Sequence, residues 1–371
     1  MTDIARRSLI GQGAAIAALS LAPRISAAAA IDDIDPTYRR SIVLDTLSFE
    51  QAGFDPLRAL AAGITGVVLD IEADPRDTVH AVAALDAWAE AFAKPDSPYT
   101  CVLKAADFLR AKREGKFAIV LDCQDASILG TPGYANSSLN MDNLSMFYAK
   151  GLRVLQLTYT LNNGLGTGYA DAYDAGLSRF GIAVVEEMNR LGMLIDTSHS
   201  SEKTTLDAIS RSQRPVAVTH AGCYSLYPDK RNKSDLVIRR LADKGGYLGI
   251  YNMTLWMTEA ATSSAETIVD HIDHAVKVGG IDLVGFGSDH EPNGDDRSQA
   301  AKATEMSNFV SRNKGWPGGE PIRGHVTASD MDGPERLNVL AHALGRRGYR
   351  SGQIEKVMGA NFMRVFQATC G

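Results

Sequence analysis

The chain has 371 residues, 45% of them hydrophobic, 22% charged and 7% aromatic, with a formal net charge of −6. That apolar content excludes a disordered chain, and the mild acidity argues against nucleic acid as a partner, whose binders carry a basic face. The four cysteines, Cys101, Cys123, Cys223 and Cys370, are too few and too scattered for a disulfide scaffold or a structural zinc module.

Residues 1–30 have the layout of a cleaved export signal. Arg6 and Arg7 precede a short apolar run softened by glycine, and small residues with Ala-x-Ala spacing follow up to Ala30. The paired arginines before Ser8-Leu9-Ile10 resemble a twin-arginine signal, which implies a periplasmic protein cleaved near Ala28 to Ala30. A disordered or amphipathic N-terminal extension is the alternative. No 18-residue apolar stretch follows, so no membrane span is expected after cleavage.

Residues 31–371 read as one domain of alternating textures. Runs rich in β-branched residues at 41–47, 65–71, 117–122, 153–159, 193–198, 215–220, 247–252 and 282–288 are apolar nearly throughout, as expected of buried parallel strands. Amphipathic stretches at 77–94, 177–191, 201–210, 234–244 and 267–278 read as helices. Gly63, Gly151, Gly192, Gly245 and Gly279 sit where a left-handed residue would end a helix before the next strand. Eight strands in one such series predict a (β/α)8 TIM barrel, with a doubly wound sheet as the runner-up. The glycine run 164–168 follows a strand but opens no helix, so it reads as a flexible loop and not a phosphate cradle. Residues 290–333 form a polar insertion after the eighth strand, a lid or wall, and 334–368 read as two closing helices.

In a barrel the chemistry gathers where strands end. Of the eight histidines, His199 and His220 close consecutive strands, and Asp289 closes the last. Two imidazoles and a carboxylate at one rim are the pattern of a catalytic divalent metal. A hydrogen-bonded loop histidine is the plain alternative for either one alone. His80, His271, His274 and His342 fall on predicted helices and read as solvated, while His290 and His325 are accessories at most.

The segments Asp196-Thr197-Ser198-His199, Val218-Thr219-His220, Arg231-Asn232 with Asp235, Gly285-Phe286-Gly287-Ser288-Asp289 and Met358–Phe366 resemble, in order, the membrane (renal) dipeptidases, peptidase family M19. The resemblance implies a metal-dependent hydrolase barrel and two zinc ions sharing a bridging glutamate. It also implies a histidine pair matching His199 and His220, and a substrate arginine matching Arg231, with Asn232 beside it. Members are often homodimers, so a homodimer is implied here too. Three positions depart from the pattern. The first strand reads Asp45-Thr46-Leu47-Ser48-Phe49, with Leu47 and Phe49 where a His-x-Asp pair ligates. Gln124, or secondarily Asp122, stands at the bridging glutamate, and Tyr159 at an oxyanion histidine. A neutral amide does not offset two dications ~3.5–4 Å apart, and hydrocarbon does not ligate. One zinc at most is therefore expected, on His199 and His220 completed by Asp289, Gln124 or water, or none. Asp289, freed from an ion, could serve as a general base.

Two functions follow. One is hydrolysis of a small carboxylate-bearing amide or dipeptide, with Arg231 and Asn232 at the carboxylate and Tyr159 as donor to the oxyanion. The other is a metal-poor homologue that binds, or transforms without hydrolysis, a small carboxylated metabolite.

Overall fold

The strand runs carry their apolar residues at their beginnings and their polar residues at their ends, and the fold follows that gradient. A computed structural model describes residues 36–50, 52–72, 75–130, 137–295, 297–312 and 325–371. The expected export signal lies outside the described residues. Residues 34–371 make up one contact unit.

Strands β1 (Leu44–Phe49), β2 (Gly66–Asp70), β4 (Phe117–Cys123), β5 (Leu152–Gln156), β6 (Leu194–Asp196), β7 (Val216–Ala221), β8 (Tyr247–Ile250) and β9 (Val284–Phe286) pair in parallel in that order. They form the nearly closed barrel of eight strands expected from the sequence. A short strand that the pattern did not reveal, β3 (Tyr99–Cys101), lies off this path and pairs with the start of β4. Three residues are too few to show a periodicity. The helices expected at 77–94, 177–191, 201–210, 234–244 and 267–278 form at Thr78–Ala93, Arg179–Leu191, Glu202–Arg211, Asp235–Asp243 and Ala265–Gly279. Of the five expected helix-ending glycines, Gly279 is the exception: it stays helical and the left-handed residue is Gly280, φ +87°. No helix among the described residues is long and apolar enough to cross a membrane.

Inside the barrel, Leu44, Val68, Ala118, Val120, Val154, Leu194, Ala217 and Tyr247 form one apolar cluster near the strand starts. Phe362, Val365 and Phe366 of the terminal helix Asn361–Cys370 pack on it. The Tyr247 side chain fits because β9 carries glycine opposite: a Cβ on Gly285 would stand 2.1 Å from its hydroxyl oxygen. The second closing helix of the sequence reading is broken. It forms as Ser351–Glu355, a wider turn at Lys356–Ala360, and Asn361–Cys370. There a Cβ on Gly359 would lie 2.4 Å from the Ile42 carbonyl oxygen, so glycine permits the chain to pass β1.

Side chains complete the closure between β1 and β9. Asp45 accepts from the Ser288 backbone N–H at 2.6 Å and the Ser288 hydroxyl at 2.5 Å. Its Oδ2 also accepts from Arg336 Nη2 at 2.7 Å and Nε at 3.1 Å, in an ion pair with both side chains fully buried. In the 290–333 insertion, a helix at Gln299–Arg312 precedes a return at 325–333 that Asn252 holds at both ends, its Oδ1 accepting from Ala328 N at 2.9 Å and its Nδ2 donating to Met331 O at 3.3 Å.

Removing one member of a buried pair strands the other's charge, which typically costs about 3–5 kcal/mol. Arg336→Ala is therefore expected to lower unfolding stability by about that amount in urea titration, and adding Asp45→Asn to recover part of it.

Candidate active site

His199 and His220 meet at the barrel mouth. Their Nε2 atoms lie 3.0 Å apart, with ring centroids at 5.1 Å. Both residues are buried, and burial, followed by the charge of Arg231, pushes both imidazoles well below their ordinary pKa, so both are neutral. The hydrogen-bond network assigns the tautomer of His220. The Thr219 hydroxyl donates its single proton to Asp196 Oδ2 at 2.8 Å, so its oxygen receives His220 Nδ1–H, also at 2.8 Å. His220 Nε2 therefore carries a lone pair directed at His199. Asp196 is fixed in turn at its other oxygen by the Ser198 N–H, the Ser198 hydroxyl and the Thr219 N–H.

Arg231 explains why the second imidazole also presents a lone pair. Its Nη2 donates to His199 Nε2 at 3.0 Å, and its Nη1 donates to Ser198 O at 2.7 Å and His220 O at 3.1 Å. The guanidinium is wholly buried among the rings of Tyr251, Tyr169 and Trp256, at 5.3, 5.7 and 5.8 Å from their centroids. Its Nε–H has no acceptor. Of the basic run around it, Lys230 is exposed, while Arg231 and Lys233 turn inward. Lys233, also buried, donates to Thr197 O at 2.8 Å and Ser200 O at 2.9 Å, bracketing His199.

The other expected residues take these places. Tyr159 is half-buried and stacks on His199, with centroids at 4.3 Å and planes at 18°. Burial pushes its hydroxyl up to about 12, so it stays a donor. Asp289, at φ +61°, follows β9 and donates its N–H to Leu47 O at 3.0 Å. Burial, offset by Arg231 and reinforced by Asp45 and Asp70, brings its carboxyl to about 6. Gln124 spends its Nε2 on Asp70 Oδ2 at 3.1 Å and leaves Oε1 without a donor. Asp122 is fully buried with neither oxygen hydrogen-bonded, and burial followed by Asp70 holds it well above the usual carboxylate range. Asn232, expected at the substrate, instead braces the loop. Its Nδ2 donates to Trp256 O at 2.7 Å and Tyr227 O at 2.9 Å, and its Oδ1 accepts from Tyr251 at 2.6 Å.

His271 corrects the sequence reading. It is buried, not solvated: Nδ1 accepts from Cys223 N at 2.9 Å and Nε2 faces Met257 O at 3.0 Å. Arg76, outside every motif of the sequence reading, stands beside Tyr159 with its Cζ 4.5 Å from the ring centroid. No spacing signal marked it, because it lies in the turn after β2. A cavity of about 270 Å³ adjoins the site, lined in part by Tyr169, Ser200, Lys230 and Lys233. Among the described residues no three His, Cys, Asp or Glu side chains gather as a metal would require.

A family profile described as membrane dipeptidase (peptidase family M19) matches residues 59–311. Dipeptidase tcpJ of Claviceps purpurea is 32% identical over 269 residues, 71% of this chain and 54% of that protein, so this chain spans about half the length of the curated relatives it matches. Among solved structures, an amidohydrolase from Pseudomonas aeruginosa superposes with a TM-score of 0.75 at 24% identity, covering 90% of this chain and 98% of that one. A metallo peptidase from Rhodobacter sphaeroides, liganded with a phosphinate mimic of the dipeptide L-Ala-D-Ala, superposes with a TM-score of 0.68 at 19% identity, covering 89% and 99%. These likenesses at low identity speak for the fold, while the profile match spans more than half of the sequence. The chain belongs to the membrane dipeptidase family, peptidase family M19.

Proposed function

We propose that this chain hydrolyses a small amide that carries a free carboxylate, such as a dipeptide, with at most one divalent metal ion, zinc by family likeness. The observation that carries this reading is the convergence of two Nε2 lone pairs, 3.0 Å apart, beside a buried arginine with an unpaired Nε–H.

A two-ion centre does not fit these residues, because Leu47 and Phe49 offer hydrocarbon and Gln124 a neutral amide. One ion would fit the imidazole pair as a two-nitrogen site completed by water, once Arg231 Nη2 releases the His199 lone pair: two nitrogen ligands of a tetrahedral zinc lie about 3.3 Å apart, close to the observed separation. His199 and His220 would hold it, and bound there it supplies a water acidic enough to attack near neutral pH. Thr219 and Asp196 keep the His220 lone pair turned toward that place. Arg231 receives the substrate carboxylate on its free Nε–H, Asp289 takes a proton from the attacking water, and Tyr159 donates to the oxygen of the scissile carbonyl.

The metal-poor reading draws support from the Arg231–His199 bond. Arg231 already occupies the His199 lone pair, and a dication ~4 Å from a guanidinium is repelled by about 8 kcal/mol at an effective dielectric of 20. Elemental analysis beside a dipeptide screen separates the two. About one zinc per chain, with cleavage abolished by His199→Ala, supports hydrolysis on one ion. Absence of metal with undiminished dipeptide binding supports the homologue without hydrolysis.

Two further outcomes are expected. Asp289 acts as a base only when ionised, so kcat/KM should rise with pH through about 6 and then level. Asp289→Asn should remove that limb and lower kcat by about 10²–10⁴-fold, checked by pH–rate profiles. Thr219→Val removes the acceptor of His220 Nδ1–H and should weaken zinc binding by about 10–100-fold in competition titration, with Thr219→Ser restoring it.

A further inference from the structure

Arg76 is a second cation at the mouth that the reaction above does not use. It follows β2, and its Nη2 donates to Asp70 Oδ2 at 3.2 Å. Asp70 is the register partner of Phe49 on β1, so this pair stands on the side of the barrel where Leu47 and Phe49 supply no ligand. The guanidinium lies against the Tyr159 ring on which His199 also stacks, so Tyr159 links it to the imidazole pair. Arg231 donates to His199. The Tyr159–His199 stack is thus in contact with two fixed positive charges.

Like Arg231, Arg76 has an N–H without an acceptor: its Nη1 is sealed from solvent and makes no hydrogen bond. A buried donor left unpaired costs about 1–3 kcal/mol, so Nη1–H is placed to donate to an oxygen that a ligand brings. The carbonyl oxygen of the amide in the proposed substrate is such an oxygen.

Resting on the hydrolase reading, we propose that Arg76 is a catalytic residue that receives the developing oxyanion on Nη1–H, beside the hydroxyl of Tyr159. In that step a water oxygen bonds to the amide carbon, its proton passes to Asp289, and the carbonyl π pair moves onto the oxygen facing Arg76. Collapse returns the pair, breaks the C–N bond and sends the proton from Asp289 to the leaving amine, giving one carboxylic acid and one amine per water consumed, which become carboxylate and ammonium when the acid passes its remaining proton to the amine.

The test compares the full-length protein with Arg76→Lys and Arg76→Gln, using the dipeptide found by the screen and a phosphinate dipeptide mimic as probe of the tetrahedral state. Arg76→Gln is expected to lower kcat by about 10²–10³-fold with KM within about threefold. Affinity for the phosphinate in calorimetry should fall by a like factor, while affinity for the product amino acid stays unchanged. Arg76→Lys should recover part of both, and added guanidinium should partly rescue Arg76→Gln. Unchanged kcat and phosphinate affinity, or a loss confined to KM, would overturn the proposal. So would equal loss of phosphinate and product binding in both variants, the signature of a purely structural role. Were no dipeptide cleaved by the unaltered protein, the hydrolase reading would fail on its own. The phosphinate arm would still decide whether Arg76 recognises a tetrahedral anion.

Discussion

The ion pair between Asp45 and Arg336 is the constraint on which the mouth of this barrel depends. Neighbouring strands elsewhere share backbone ladders, but β1 and β9 are joined by the Thr46 hydroxyl on Phe286 O, by Asp289 N on Leu47 O and by Asp45, whose carboxylate collects two bonds from Ser288 and two from Arg336. Burying two charges costs several kcal/mol each, and only a nearly complete set of partners offsets that cost. With the seam closed, Leu47 O meets Asp289 N, and Asp289 is held in the left-handed region at the rim. Such a conformation is tolerated by aspartate and persists where the surroundings over-determine it.

The electrostatics of the mouth turn on fixed protein cations. Arg231 is fully buried, and three aromatic rings and two carbonyl oxygens take the place of its hydration. Its charge adds to burial, the larger cause, in keeping both histidines neutral, and it holds Asp289 lower than burial alone would set it. The same guanidinium competes with any metal for His199, so metal affinity and the Arg231 position are linked. On the opposite side, Arg76 is tied to Asp70, which also anchors Gln124.

Much of the fold was legible because parallel strands buried on both faces leave long apolar runs, and helices leave amphipathic ones. The shorter features were not. β3 offers three residues, and its pairing exists only because β4 begins alongside it. His271 sits in a helical pattern that reads equally well as solvated or buried, and what buries it is a contact with Cys223, 48 residues away. Asn232 lies next to Arg231 in sequence, yet its amide turns the other way, toward Tyr227, Tyr251 and Trp256.

The sequence by itself determined the strand series, the placement of His199, His220 and Asp289 at strand ends, and the loss of ligating side chains at Leu47 and Phe49. Those properties reside in residue type and local spacing. Only the tertiary structure decided which donors and acceptors remain unpaired, that Arg231 lies on His199, and that Arg76 reaches Tyr159 from 83 positions away. A hydrogen bond or a stacked charge depends on a few ångströms between distant segments, and local pattern carries no record of that distance.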